Sequence, residues 1–330
     1  MTSAILADTS RHRVAMEFRQ IQYFICLFEE GTVTRAARRL NIVQPALSMQ
    51  IAKLEDDLGQ QLFERTKQGM VPTAAARNMY RLFLPIMREF LNARTQLLSS
   101  DGEISGHVNI GMIASVTEGV LAETLSVFSA RYPKVQVRVA DGYTATLSDW
   151  VAGGQIDAAI INKPRRQLAL NVEHIADEEL LLVTGTMGPV PLPARLTLHQ
   201  IVNSSLNLVL PTREHGLRGI LDSFAQHEDV DLAPTFEIDS LATSVKLVEQ
   251  TPNLGTILPH IAVYGGLLAG RLRAHAIVSP RLIRQVVAVS HPRRPLNSAT
   301  NAFIALLKEQ MRIRTHQHDG TGPDDVLANV

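Results

Sequence analysis

The stretch from Gly31 to Arg65 constrains this chain most, because it holds two sets of apolar residues at helical spacing, separated by a turn of three residues. The sets are Ala36, Ala37 and Leu40, and then Leu47, Ile51, Leu54 and Leu58. Two helices joined by so short a turn, residues 41–43, predict a helix-turn-helix. We expect the first helix to begin behind Thr34, whose hydroxyl suits an N-cap, and the second to run from near Pro45 to Gly59.

With the leucine and isoleucine side chains turned inward, the opposite face of the second helix is left for a partner. The residues on it are Gln44, Pro45, Ser48, Met49 and Lys53. Glutamine can pair bidentately with adenine, serine adapts to several bases, and lysine neutralises phosphates. The same surface is extended by residues of the first helix: Thr34, Arg35, Arg38 and Arg39. The pattern therefore predicts a surface that binds double-stranded DNA.

Beyond Gly59, the segment from Gln61 to Thr73 predicts two short strands around a turn at residues 65–69. The turn is basic, and we expect Arg65 and Lys67 to contact DNA phosphates. A helix-turn-helix followed by such a hairpin makes a winged helix-turn-helix.

The runs TRAARRL, QPALS, IAKLEDDLGQQLFERT and VPTAAA resemble the N-terminal domain of LysR-type transcriptional regulators. The resemblance is long and ungapped, with three departures. Val43 stands where the family usually has a serine cap, Met49 where a basic residue is common, and Ala76 where glycine is usual. The missing cap typically costs ~1 kcal/mol, and Met49 replaces a basic residue that would be a DNA contact. We therefore expect the departures to change which DNA sequence is preferred, and not the fold.

Charge is distributed unevenly along the chain. Of 330 residues, 32 are Lys or Arg and 32 are Asp or Glu, so the net charge is zero. Residues 1–99 hold 13 Lys/Arg and 9 Asp/Glu, a balance of +4, and residues 100–330 hold 19 and 23, a balance of −4. The basic excess accompanies the helix-turn-helix, as an electrostatic footprint on DNA requires.

Targeting signals and cysteine usage narrow the class of protein further. No run of 18 apolar residues predicts a membrane helix and no basic-then-apolar start predicts a signal peptide, so we expect a cytoplasmic protein that does not engage a membrane. Cys26 is the only cysteine, which excludes an internal disulfide and a thiolate zinc cluster. It is expected to be a small buried group, with redox sensing as the alternative.

A long helix is predicted from Ala74 to Leu98, capped by Thr73. Apolar residues recur along it at helical spacing: Tyr80, Phe83, Met87, Phe90, Leu91 and Leu97. Because a small domain cannot bury so long a stripe, we expect residues 74–99 to pair with a second copy. The resemblance implies the same dimerisation helix and a homotetramer built from such dimers. The alternative is an ordinary core helix of the first domain.

After a polar hinge at residues 99–105, short strands and helices alternate, which predicts an α/β domain with a parallel sheet. The runs GHVNIG, GGQIDAAI, SLATSVKLVEQ and NLGTILP resemble the bilobed LysR-type effector domain, which is similar to periplasmic binding proteins. The predicted divisions are a disordered extension at 1–15, the DNA-binding domain at 16–73, the linker helix at 74–99, an effector domain at 100–314 and a flexible tail at 315–330. Within the effector domain we expect lobe I at 106–178 and 290–314, and lobe II at 179–289.

Ligands of open α/β sheets bind beyond the carboxyl ends of the strands, here in a cleft between lobes. Hydroxyls and free N–H groups at a helix N-terminus favour an anion, so we expect a small acid to bind there. The alternative is that Ser115 and Thr117 only cap the helix. The resemblance points to the same segments as effector contacts. The candidate residues are Ser115, Val116, Thr117, Tyr143, Thr144, Asn162, Pro211 and Thr212.

Two other classes of protein compete with a ligand-responsive regulator. An enzyme with a fused DNA-binding module is disfavoured because G-x-S-x-G, H-E-x-x-H, G-x-x-x-x-G-K-[ST] and a G-x-G-x-x-G after a strand are all missing from the sequence. An architectural DNA-binding protein would leave the bilobed domain without a purpose. We therefore expect no catalytic site, no metal and no cofactor apart from a small-molecule inducer. The expected partners are promoter DNA, other copies of the chain and RNA polymerase.

Overall fold

The computed structural model describes residues 16–67, 69–98, 104–187 and 192–319. The chain divides into two compact units, residues 1–93 and 94–330. The predicted extension at 1–15, Gln68 in the predicted turn, most of the hinge and residues 320–330 of the tail lie outside the described residues. Every helix in the described ranges is too short or too polar to span a membrane.

The first unit contains the predicted helix-turn-helix. Its elements are α1 (Phe18–Glu30), α2 (Val33–Arg39), α3 (Gln44–Leu58), β1 (Phe63–Thr66), β2 (Gly69–Pro72) and α4 (Ala74–Leu98). The inward residues Leu47, Ile51 and Leu54 of α3 are at most 4% exposed and pack against Phe24 and Leu27 of α1 in one core. The three-residue turn and the ends of α3 are as predicted.

The cap of α2 differs from the prediction. Thr32, and not Thr34, is the N-cap, and its hydroxyl accepts a hydrogen bond from the N–H of Arg35 at 3.4 Å. Thr34 lies inside the first turn of the helix with an exposed side chain. The prediction was wrong because both threonines precede the apolar set, and the spacing does not say at which of them the backbone leaves the extended conformation.

The hairpin of β1 and β2 is anchored to both ends of the helix-turn-helix. Glu55 of α3 accepts hydrogen bonds from the N–H groups of Leu62 and Phe63 at 2.7 and 3.0 Å. Gly69, at φ +131°, lies so close to Gly31 that an added Cβ would meet the Gly31 carbonyl oxygen at 2.5 Å. Only glycine combines that conformation with that contact. The hairpin therefore has one orientation relative to α3.

The long helix α4 begins as predicted, since the Thr73 hydroxyl accepts a hydrogen bond from the Ala76 N–H at 3.2 Å. Its first turns belong to the domain core, where Ala76 and Met79 are buried. Farther along, three large apolar side chains at i, i+4 and i+8 are 45–54% exposed: Leu82, Ile86 and Phe90. The first turns of α4 therefore act as a core helix, and its later part carries an exposed apolar stripe. Pairing of that stripe with a second copy stays a prediction. The side chain of Leu97 lies outside the described residues.

Cys26 is buried, as predicted, with its thiol directed at the Ala36 carbonyl. Burial raises the pKa of the Cys26 thiol, which keeps it protonated and unreactive.

The second unit is an α/β domain of two lobes. Its strands are β3 (Gly106–Met112), β4 (Val135–Asp141), β5 (Ala158–Asn162), β6 (Asn171–Gly185), β7 (Arg195–Leu196), β8 (Asn207–Leu210), β9 (Phe236–Glu237), β10 (Leu254–Pro259), β11 (Leu272–Ile277) and β12 (Ile283–Ser290). Its helices are α5 (Ala114–Val116), a π-helical turn (Thr117–Leu121), α6 (Ala122–Arg131), α7 (Thr144–Ala152), α8 (Leu198–Val202), α9 (Gly216–His227), α10 (Leu241–Gln250), α11 (His260–Leu268) and α12 (Ser298–Asp319).

A single long strand, β6, belongs to both lobes. Its first part pairs antiparallel with β12, and its second part pairs with β10 and β11. In lobe I the order is β4-β3-β5-β12-β6, with β3 parallel to both β4 and β5. In lobe II β6 continues to β10, β8 and β9, while β11 and β7 branch from it. The parallel pairs are as predicted.

Several boundaries differ from those predicted. Strand β12 pairs with β5 and its residues 286–289 lie in the lobe I core, so the second crossing comes before residue 283 and not near 289. The helix that follows β3 begins at Ala114 and continues through a π-helical turn into α6, and α12 extends beyond 314 to Asp319. Strands β7 and β11 and helix α8 were not predicted from the sequence. Short or edge elements such as these carry little periodicity.

A buried ion pair lies where the chain first crosses between lobes. Arg284 of β12 is directly opposite Glu178 of β6 in the ladder, and the side chains are 1% and 2% exposed. Nε and Nη2 of Arg284 donate to Oε2 of Glu178 at 2.9 and 2.6 Å. One residue farther, Arg281 pairs with Glu179 at 2.8 Å, but its side chain is 63% exposed.

The two neighbouring pairs offer a direct comparison of stability. Replacing one member of a buried ion pair leaves the other charge uncompensated and typically costs about 3–5 kcal/mol, whereas exposed pairs contribute under about 1 kcal/mol. Glu178→Gln is therefore expected to lower the free energy of unfolding of the second unit several-fold more than Glu179→Gln. Urea denaturation of the full chain measures both, and equal losses would contradict the assignment.

The two threonines before α2 are distinguished by a second test. Thr32→Ala removes the cap and is expected to destabilise α2 by about 1 kcal/mol, while the exposed Thr34→Ala is expected to change it by less than about 0.5 kcal/mol. Hydrogen–deuterium exchange of the α2 amides should accelerate about fivefold in the first variant. Faster exchange of the α2 amides in the Thr34 variant alone would show that Thr34 is the N-cap, as predicted from the sequence.

Candidate functional site

On the first unit, α2 and the start of α3 border an open groove. Its lining residues are Thr34, Ala37, Arg38, Ile42, Val43, Gln44, Pro45 and Ser48. The groove thus brings together five of the residues predicted to bind DNA: Thr34, Arg38, Gln44, Pro45 and Ser48. Because Gln44 opens α3, the N-terminus of that helix, and not its middle, is presented at the groove.

The basic residues around this groove fall into two groups. Lys53, Arg65 and Lys67 are exposed, and Arg38 lines the groove itself. Two others are held by carboxylates and carbonyls of α1. Arg39 pairs with Glu29 and Glu30 at 2.8 and 3.1 Å. Arg35 donates from Nη2 to the Glu30 carbonyl, and its side chain is otherwise mostly exposed.

Two apolar side chains on the same surface are mostly exposed. Val43 is the N-cap residue of α3, makes no side-chain cap bond and is 68% exposed. Met49 is 63% exposed on the outer face of α3. Apolar side chains at such positions can contact the methyl group of thymine.

In the second unit, a small cavity lies between the lobes beyond the carboxyl end of β3. Its volume is about 20 Å³, enough for a single water molecule. The residues that line it are Ile113, Ala114, Ser115, Asn162, Pro211, His215, Leu217, Ile238, Asp239, Leu241, Ser244, Thr256, Leu258 and Arg284. Helices α5, α9 and α10 all begin at this cavity, so three N-terminal ends bring partial positive charge to it.

Arg284 organises the lobe I side of the cavity. Besides its bonds to Glu178, it donates from Nη2 to Ser115 Oγ at 2.8 Å and from Nη1 to Asn162 Oδ1 at 3.2 Å. Ser115 and Asn162 were predicted from sequence, and Arg284 was missed. An arginine in a strand that is mostly apolar, IRQVVAVS, is the signal that could have revealed it.

Asp239 organises the lobe II side. It accepts hydrogen bonds from the Thr212 N–H and hydroxyl, each at 2.9 Å from Oδ1. The hydroxyl of Tyr143 reaches across from lobe I and donates to its Oδ2 at 2.6 Å. Two predicted residues from opposite lobes therefore converge on one carboxylate that the sequence analysis did not single out.

Further contacts close the cleft around this bond. The rings of Tyr143 and His215 meet edge to face, with centroids 5.5 Å apart. A Cβ on Gly216 would come within 2.9 Å of the Thr144 hydroxyl, and Arg165 donates to the Gly219 carbonyl at 3.2 Å. The lobes are in contact, and glycine at 216 permits the close approach.

Not all of the predicted effector residues reach the cavity. Ser115, Asn162 and Pro211 line the cavity, and Tyr143, Thr144 and Thr212 border it. Val116 does not, since its side chain is buried in the lobe I core. Thr117 donates its hydroxyl to Asp141 at 2.5 Å, outside the lining. Val116 and Thr117 were predicted as effector contacts together with Ser115 because the sequence does not show at which residue α5 begins.

The electrostatics of the cleft are set by burial and by Asp239. Burial lowers the pKa of His215 against the opposing effect of the Asp239 charge, and Arg284 lowers it further, so its ring is neutral near pH 7. Despite partial burial, the hydrogen bonds from Tyr143 and Thr212 lower the pKa of Asp239, which is therefore ionised. The same bond to Asp239 raises the pKa of Tyr143 and keeps its hydroxyl a donor.

Two family sequence models match this chain. The one described as "Bacterial regulatory helix-turn-helix protein, lysR family" matches residues 18–77, and the one described as "LysR substrate binding domain" matches residues 101–312. The chain belongs to the LysR family. It is a DNA-binding transcriptional regulator of the LysR type with an effector-binding domain, and its relatives are regulators and not enzymes.

Curated relatives cover most of this LysR-type regulator. The nitrogen assimilation regulatory protein nac of Escherichia coli (strain K12) is 29% identical over 229 residues, which cover 69% of this chain and 73% of that protein. The HTH-type transcriptional regulator CzcR of Bacillus anthracis is 28% identical over 303 residues, or 92% and 99% of the two chains.

Solved structures share the fold. Full-length OxyR from Pseudomonas aeruginosa matches with a TM-score of 0.69 and 22% identity, over 90% of this chain and 95% of that one. Full-length CbnR, solved in complex with its target DNA, matches with a TM-score of 0.53 and 19% identity, over 89% and 99% of the two chains.

Proposed function

We propose that this LysR-type regulator reads promoter DNA with the N-terminal end of α3 and responds to a small anionic effector in the cleft between its lobes. The DNA half of the proposal is supported by the groove that gathers Gln44, Pro45 and Ser48 beside Arg38. Lys53 beside the groove and Arg65 and Lys67 on the hairpin are suited to phosphate contacts. Recognition helices of paired subunits would enter successive major grooves of an interrupted palindrome, with the hairpins as wings on the flanking backbone.

One observation supports the effector half: the Arg284 guanidinium is held against Ser115 at the N-terminal end of α5. A carboxylate placed there would meet a cation, a hydroxyl and free N–H groups at once. The present cavity is too small for such a molecule, so the lobes must separate to admit it. Binding would then shift the population between lobe arrangements.

Assembly links the two halves of the proposal. Leu82, Ile86 and Phe90 form an exposed apolar stripe on α4, and Phe90 is stacked on Phe18 with ring centroids 4.7 Å apart. Pairing of this stripe between two copies would make the dimer, and two dimers the tetramer. A change in the lobes would alter the spacing of the DNA-binding pairs, the bend of the promoter and the access of RNA polymerase.

Two single variants separate base reading from phosphate binding. Gln44→Ala is expected to relax sequence preference by about 1–3 kcal/mol at the contacted base pair. Lys67→Ala is expected to weaken binding to every sequence and to lower the slope of log affinity against log salt by about 1. Selection of bound sequences from random DNA, followed by salt titrations on the selected site, measures both. Unchanged sequence selectivity in Gln44→Ala would remove that residue from the reading surface.

The effector site is tested by calorimetric titration of the full chain with a panel of small carboxylic acids. For an acid that binds, Ser115→Ala removes a hydrogen bond in a charged cluster and is expected to weaken affinity by about 10- to 100-fold. Thr117→Ala is the matched control, since that hydroxyl is committed to Asp141, and its affinity should be unchanged. Equal affinities in the wild type and both variants would contradict the assignment of Ser115.

A further inference from the structure

The two walls of the inter-lobe cavity are electrically different. On the lobe I side the polar groups are hydrogen-bond donors or are held by one: the Arg284 guanidinium, the Ser115 hydroxyl that it contacts, and the first N–H groups of α5. Glu178, which balances Arg284, does not line the cavity. This wall therefore presents its positive end to whatever occupies the cavity.

On the lobe II side the charged group is the Asp239 carboxylate. The partners found for it are neutral: the Thr212 N–H and hydroxyl, and the Tyr143 hydroxyl. Its ionised form has no lysine or arginine beside it among the residues that the structure describes.

Other charged and titratable groups near Asp239 do not compensate it. Arg218 is directed elsewhere, since it pairs with Asp222 and Glu237 at 2.7 Å each and donates to the Pro211 carbonyl. His215, which also lines the cavity and interacts electrostatically with Asp239 and Arg284, is kept neutral by its burial. The N-terminal ends of α9 and α10, which both begin at the cavity, add positive partial charge on this side but no cationic side chain.

Arg284 and Asp239 line the same cavity from opposite lobes, so a molecule that binds in the cleft lies between the two walls. A simple acid would place a second negative charge beside the partly buried Asp239, and a simple amine would face Arg284 and the start of α5. Like charges inside one small cavity repel each other strongly when water is excluded. A molecule that carries both charges avoids both penalties.

We propose that the effector is a small zwitterion of the amino-acid class, with its acid group at Ser115 and the start of α5 and its cationic nitrogen on Asp239. This inference rests on the proposed effector function of the cleft and specifies its ligand. The ammonium group would replace the Tyr143 hydroxyl on Asp239, exchanging a neutral donor for a charged one, and charge-assisted bonds of this kind are about twice as strong. Tyr143 is then the residue that the effector displaces when the lobes rearrange.

The test uses the full chain and matched ligands. The twenty L-amino acids are titrated by calorimetry, and each one that binds is compared with the acid that lacks its amino group and with the amine that lacks its carboxylate. We expect at least one amino acid to bind, and both truncated molecules to bind at least tenfold more weakly.

Two variants examine the role of Asp239. Asp239→Asn is expected to weaken the amino acid at least tenfold and to abolish its advantage over the matched acid, whereas the exposed Asp231→Asn should leave both affinities unchanged. Tyr143→Phe keeps the carboxylate and removes the competing donor, so the amino acid should bind more tightly. The Tyr143 variant and the matched ligands still decide the question if Asp239→Asn does not fold.

The outcomes separate the two proposals. If acids bind as tightly as their amino acids, and Ser115→Ala weakens them, the zwitterion inference is overturned and the anionic effector stands. If amino acids bind with no effect of Asp239→Asn, the assignment of the cationic nitrogen is wrong. If neither the acids nor the amino acids bind, both proposals fail.

Discussion

The buried guanidinium of Arg284 is the interaction on which the effector domain depends. A charge with a 1% exposed side chain must be paired and hydrogen-bonded, because the cost of removing it from water is otherwise several kcal/mol. Its partners come from three different elements: Glu178 on β6, Asn162 at the end of β5 and Ser115 at the start of α5. Satisfying one side chain therefore fixes the crossing strand, the sheet edge and the helix end that together form one wall of the cleft.

The opposite wall is built on the same principle with the opposite charge. Asp239 is held by Thr212 of its own lobe and by Tyr143 of the other, so its hydrogen bonds also hold the lobes together. The DNA-binding unit uses a carboxylate in a similar way. Glu55 accepts two backbone N–H groups at the base of the hairpin and sets its direction relative to α3. In each unit, a small number of polar side chains positions the surface that is proposed to bind.

Sequence reasoning succeeded where periodicity is strong and failed where polar geometry decides. Helix α3 was predicted to within a residue, because Leu47, Ile51 and Leu54 mark one face and Pro45 and Gly59 mark its ends. The cap of α2 was misplaced because two threonines, Thr32 and Thr34, lie at its start, and the start of the helix at Ala114 was misplaced because Ser115 and Thr117 lie just after it. The crossing strand β12 was assigned to the wrong lobe, because an apolar run is equally suited to either sheet.

The sequence by itself determined the family, the helix-turn-helix with its outward residues, the long α4 and the alternation of strands and helices in the second unit. These follow from local spacing and composition, which act between residues close in the chain. Only the tertiary structure decided that Ser115, Asn162, Glu178 and Arg284 form one cluster, and that Tyr143 and Thr212 share Asp239. Those contacts join residues 96 or more positions apart in most cases, as between Tyr143 and Asp239. No local pattern encodes them, because they arise from burial and charge pairing in the assembled sheet.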